Sequence, residues 1–179
     1  SPRGVPLLSQ NRQFQWFSHP TYIYPMVPAS AATLLSKAGY DVSWDDGIAE
    51  ELSLSEYMNR IMIDIPDLIV IESKTPVIQT HWKIIDNIKK AIPHSRIVLV
   101  GDHVTALPSE SLEKCEADYV LTGGDYDFLL LNLCNHLSGG EKLEAGIWHR
   151  VNGEITNTGQ FNLNHDLNTL PFIDRDLTK

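Results

Sequence analysis

Cysteine is scarce in this 179-residue sequence: Cys115 and Cys134 are the two, and they lie 19 residues apart. Two thiols at that spacing make neither a disulfide framework nor a CxxC pair, which excludes a chelating cysteine cluster within this chain. Reduced thiols of an intracellular protein are the simplest reading. No apolar run approaches the ~20 residues that a membrane-spanning helix needs. The start, Ser1-Pro2-Arg3-Gly4-Val5-Pro6, has no apolar signal core. A cytoplasmic location is the expectation. Basic residues are outnumbered 14 to 23, for a net charge of −9. A surface of that sign repels phosphate backbones and anionic lipid, which argues against nucleic acid or a membrane as partner. No GxGxxG follows a strand, and neither GxxxxGK[ST] nor a GxSxG elbow occurs. The seven histidines are scattered, and none pairs with a second ligand at metal spacing.

What is present suits one soluble domain. With 42% apolar and 21% charged residues, the chain is able to bury a sizeable core. Residues 1–28 are interrupted by five prolines and hold an aromatic cluster of Phe14, Trp16, Phe17, Tyr22 and Tyr24. A helix is then expected over Ala29–Ala38, closed by Gly39. A half-buried strand over Tyr40–Trp44 follows, ended by Asp45-Asp46-Gly47. That acidic pair reads as a solvated turn, with a ribose or metal contact as the alternative. A second helix, Ser55–Ile65, has Ser55 as its cap and stops at Pro66.

Leu68–Ile71 and Ile97–Val100 are apolar on both faces, as central parallel strands covered by helices are. Helices are expected between them (Thr80–Ala91), after them (Pro108–Lys114), and from a cap at Asp125 to about Leu137. Tyr119–Leu121 is a further strand, and Asn152-Gly153 marks a hairpin between Ile147–Val151 and Glu154–Asn157. The tail from Leu163 is polar and reads as extended.

This alternation places the chain in the α/β class: a Rossmann-like (flavodoxin-like) parallel sheet flanked by helices, with a small carboxyl-terminal β-hairpin. Such a fold normally opens with a buried strand, but here a helix comes first. A first strand just before Ser1, or absent from the chain, is one reading. A genuinely four- or five-stranded sheet with an irregular lead-in is the other.

Ligands of open parallel sheets bind outside the carboxyl ends of the strands. Three strand ends carry small or polar residues: Ser73-Lys74-Thr75, Gly101-Asp102-His103 and Thr122-Gly123-Gly124-Asp125. Each loop alone would be an ordinary tight turn, but three on one edge make a ligand site. Asp102 beside His103 resembles half of a catalytic pair. Neighbours in a loop point in different directions, however, and no residue is assigned a catalytic or metal-binding role.

The stretch RIVLVGDHVTALPSESL (Arg96–Leu112) resembles the "GG.H.TALPEE" segment of the cobalamin (B12)-binding domains that precede radical S-adenosylmethionine (SAM) barrels. In the same order, YPMVPASAATLLSKAGYDVSWDD resembles that family's first helix and second strand, and DLIVIESKTP its third strand. DYVLTGGDYDFLLLNL resembles its fifth strand and helix, and NLNHDLNTLPFIDRDL the bridge into the barrel. Two departures stand out. The family's first glycine falls on Val100, and its "GEgE" glutamates fall on Gly124 and Tyr126.

The resemblance implies that Ser73, Lys74 and Thr75 lie beside the nucleotide tail of cobalamin. Gly101, Asp102 and His103 would line the tail's slot, and Gly123, Gly124 and Asp125 its far wall. An Asp-x-His-x-x-Gly axial motif is absent, so cobalt's lower face would have no protein histidine and would lie near residues 1–12. Residues 1–158 would form the cobalamin domain, and 159–179 a linker toward a carboxyl-terminal radical SAM barrel. That barrel would hold the [4Fe–4S] cluster and S-adenosylmethionine, because this chain has no CxxxCxxC loop. The module alone is not expected to be catalytic. The alternatives are a flavodoxin-like FMN-binding or regulatory domain, and a docking domain without cofactor.

Overall fold

The computed structural model describes residues 24–45, 47, 50–124 and 126–177, together with the backbone of two short strands, β1 (Leu7–Leu8) and β2 (Phe14–Gln15), which pair antiparallel. The rest of the aromatic lead-in and Asp46 lie outside the described residues. In chain order there follow α1 (Met26–Lys37), α2 (Leu54–Asp64), β3 (Leu68–Glu72), α3 (Ile78–Ala91), β4 (Arg96–Val100), α4 (Asp102–Ala106) and α5 (Pro108–Lys114). Then come β5 (Tyr119–Leu121), α6 (Tyr126–Gly139), β6 (Ile147–Val151) and β7 (Glu154–Asn157). The main sheet has the order β3-β4-β5-β6-β7, parallel through β5 and antiparallel beyond it. The expected class holds.

The pattern of β4 explains the layering. Ile97 and Leu99 point into one apolar layer with Ile85, Ile88 and Leu112 from α3 and α5. Val98 and Val100 point into the other, with Leu35 of α1 and Leu129 and Leu133 of α6. Successive strand residues face opposite sides, so a run apolar at every position needs a helical layer on each face. All four residues are at most 1% exposed. The hairpin turn is as expected, with Asn152 and Gly153 both at positive φ (52° and 86°), as a two-residue turn of that kind requires.

Four expectations need correction. Helix α1 begins at Met26, and Pro28 sits within its first turn, where a missing N–H breaks no intrahelical bond. The cap of α2 is Ser53 rather than Ser55: its hydroxyl accepts from the Glu56 N–H, and the Glu56 carboxylate accepts from the Ser53 N–H in return. Tyr40–Trp44 is not a strand; only Trp44 takes part in an isolated β-bridge. An alternating segment becomes a strand only when a neighbour pairs with its backbone. Strand β3 is the edge of the sheet and not central, and Val70 is 38% exposed.

The tail runs along the surface of the domain. A 3₁₀ turn at Leu167–Thr169 leads to Leu170-Pro171, and a second at Arg175–Leu177 lies against α1. The Asp174 N–H donates to the buried Thr33 hydroxyl at 3.0 Å, and the Arg175 guanidinium sits 4.9 Å from the Tyr24 ring centre. The chain therefore stays on the domain through Leu177. Among the described residues no helix is long and apolar enough to cross a membrane.

Candidate functional site

The parallel strands β3, β4 and β5 end at the same edge, so Ser73–Thr75, Gly101–His103 and Gly123–Gly124 are brought together there. Asp125 lies outside the described residues. The Ser73 N–H donates to the Val100 carbonyl at 2.9 Å, carrying the β3–β4 ladder one step beyond the strands. Gly101 has φ +110°, and a Cβ there would stand 2.5 Å from the Ser73 carbonyl oxygen. Glycine is required at this point because the neighbouring backbone occupies the space. Its smallness does not leave a gap for a ligand.

Asp102 and His103 are not in a loop but form the first two positions of α4, and they take different partners. Lys74, 7% exposed, places its ammonium 3.0 Å from Asp102 Oδ2 and 3.3 Å from Glu72 Oε1. A lysine buried this far is retained only when paired, and here it ties the β3 loop to the start of α4. The His103 ring is 6% exposed and uses both nitrogens: Nδ1 lies 3.1 Å from Thr75 Oγ1 and Nε2 3.0 Å from Glu110 Oε2. Trp82 meets the same ring edge-on at 6.2 Å, and its indole N–H donates to Ser111 Oγ. With both nitrogens engaged, His103 has none directed at a ligand. Thr105 links the next pair of loops, donating to the Gly101 carbonyl at 2.9 Å and accepting from the Gly123 N–H at 3.1 Å.

Sequence reading missed Trp82, Thr105 and Glu110, which hold the loops but do not belong to them. The signal for Thr105 was available, since position 4 after Gly101 lies one helical turn on. Glu110 belongs to α5, and the break at Leu107 between α4 and α5 is what brings it to His103. His81 was also missed. Its Nδ1 lies 2.9 Å from the hydroxyl of fully buried Ser73, and burial holds its pKa below the usual value. In the lowered window the unfolded chain binds more protons than the folded one, so stability should fall as pH drops through about 6.5. A His81→Gln variant should flatten that part of a urea-midpoint versus pH profile. An unchanged slope would place the acid sensitivity elsewhere.

The third loop is covered on one side and open on the other. Gly123 has φ +92°, and a Cβ there would overlap the ring of Phe161, whose Cβ and ring also lie against Gly146. Gly124 faces open space and lines a cleft of about 310 Å³ beside Met26 and Val27 of α1 and Leu170 and Ile173 of the tail. At the polar end of the cleft Ser30 Oγ donates to buried Asp127 at 3.2 Å. Elsewhere, Asp45 is paired with Arg60 at 3.1 Å in a surface ion pair. Among the described residues no group of three metal-ligating side chains is assembled. Burial raises the thiols of Cys115 and Cys134 to about 11, so both stay protonated at neutral pH.

No family model matches the chain. An uncharacterised methyltransferase from Pyrococcus horikoshii is 25% identical over 140 residues, which is 77% of this chain and 30% of that protein. Two solved structures of the radical S-adenosylmethionine methyltransferase TsrM from Kitasatospora setae share the fold at 16% identity. The one with tryptophan substrate and a SAM analogue bound aligns with a TM-score of 0.67 over 77% of this chain and 28% of its own. The other, with cobalamin and a [4Fe–4S] cluster bound, aligns with a TM-score of 0.68 over 84% of this chain and 28% of its own. The chain thus spans under a third of the length of each.

Proposed function

We propose that this chain is the cobalamin-binding module of a larger B12-dependent radical SAM enzyme of the methyltransferase kind. The observation that carries the reading is the convergence of three motif-bearing loops, at Ser73, Gly101 and Gly123, on one edge of a parallel sheet. The TsrM structure of the same fold, with cobalamin bound, supports it. So does the open apolar cleft at Gly124, which suits the flat, apolar nucleotide base of that cofactor. Bound cobalamin would supply a cobalt centre able to carry a methyl group or support radical chemistry.

The protein's own residues do the holding. Lys74 and Thr75 join the first two loops through Asp102 and His103, and Thr105 joins the second to the third. The rim is thereby organised before any ligand arrives, which lowers the ordering cost of binding. Residues 1–158 are the cofactor domain in this reading, and 159–179 lead toward a radical SAM barrel of the same polypeptide. The iron–sulfur cluster and S-adenosylmethionine belong to that barrel, since two separated cysteines cannot ligate a cluster that needs three.

Hydroxocobalamin added to the purified chain should bind and shift its visible spectrum. Gly124→Trp is the informative variant. The position is open and outside the left-handed region, so the fold should tolerate the indole while the slot is obstructed. Binding should be lost there and kept in Glu154→Ala, on the distant hairpin. A folded wild-type chain that binds FMN, or nothing, at millimolar cofactor would overturn the proposal.

A further inference from the structure

We infer that Phe161 is a removable plug of the cofactor slot, so that seating of its ring and entry of a cobalamin nucleotide tail exclude one another. The inference rests on the cobalamin reading and adds a gate to it. Two glycines, Gly123 at the end of β5 and Gly146 at the start of β6, form a bare patch of backbone at the carboxyl edge of the sheet. A patch without Cβ atoms admits one flat apolar group. In this conformation that group is the Phe161 ring, which packs on from there to the apolar layer of Leu121 and Ile147.

The strap that carries the ring is tied at both ends and runs over the rim. Before the ring, the Gly146 N–H donates to the Gly159 carbonyl at 3.0 Å. After it, His165 stacks on Phe128 at 4.5 Å and meets Glu144 Oε2 at 2.8 Å. Its neighbours in the strap, Asn162 and Leu163, are exposed. Releasing the Gly159 tie and lifting the strap as far as His165 would therefore move the ring and little else of the core. The adjoining Gly124 cleft is open, so a ligand would reach the stoppered part of the slot from that side.

A ligand that binds only the open form has its apparent affinity reduced by the fraction of molecules that are open. Phe161→Ala should consequently bind hydroxocobalamin about tenfold or more tightly than wild type. Cobinamide, which has the corrin ring but no nucleotide tail, should bind the two proteins equally. In wild type, hydroxocobalamin should speed hydrogen exchange at the Gly146 amide, because the strap that protects it is pushed aside. Equal or weaker hydroxocobalamin binding by Phe161→Ala, or wild-type binding with Gly146 exchange unchanged or slowed, would overturn the plug and leave the cobalamin reading standing. Failure of both folded proteins to bind hydroxocobalamin would remove the reading itself and the plug with it. Should Phe161→Ala not fold, Phe161→Leu and the wild-type exchange measurement decide the matter.

Discussion

Gly101→Val should cost about 3 kcal/mol or more of folding stability, enough to unfold a marginal domain. Two effects add. A β-branched residue at φ +110° is strained by itself, and its Cβ would stand 2.5 Å from the Ser73 carbonyl. That oxygen belongs to backbone held by the Ser73 N–H bond to Val100, so it cannot swing away as a side chain would. Gly124→Ala, with nothing within 4 Å of the added carbon, should stay within about 0.5 kcal/mol of wild type. Urea midpoints of the two variants test the contrast. A Gly101→Val protein close to wild type would mean that the Ser73 loop is not fixed. Loss of cofactor binding in any Gly101 variant reports the fold before it reports a slot.

His103→Ala is the second substitution with a large expected effect, about 2–4 kcal/mol. The imidazole is almost completely buried, so its removal leaves a cavity beside Trp82 and breaks the link from Thr75 to Glu110. Glu110 can turn to solvent, since its side chain is 36% exposed, and most of the loss lies in packing and in the freed loop. The visible spectrum of bound hydroxocobalamin should nevertheless be unchanged, because both ring nitrogens already have protein partners. A shifted spectrum with stability unaffected would make His103 a cobalt ligand and reverse its assignment as a tie between loops.

The α/β class, the strands from Leu68 onward and the hairpin at Asn152-Gly153 were legible in the sequence. Apolar periods of 2 and 3.6, caps and turn dipeptides act over a few residues, and those residues are adjacent in the text. The same holds for the three strand-end loops, because any parallel strand must stop and turn at that edge. What depended on partners was not legible. β3 and β4 are equally apolar, yet β3 lies at the edge with Val70 exposed; nothing within a strand states how many neighbours it has. Tyr40–Trp44 alternates well and is still no strand, for the same reason.

The glycines show the division most clearly. Sequence placed Gly101, Gly123 and Gly124 in one loop set, and only the fold separated their roles. Gly101 makes room for the Ser73 backbone, Gly123 for the Phe161 ring, and Gly124 for open space. A glycine announces that a side chain is excluded; what occupies the vacated volume is decided by segments far along the chain, through tertiary packing.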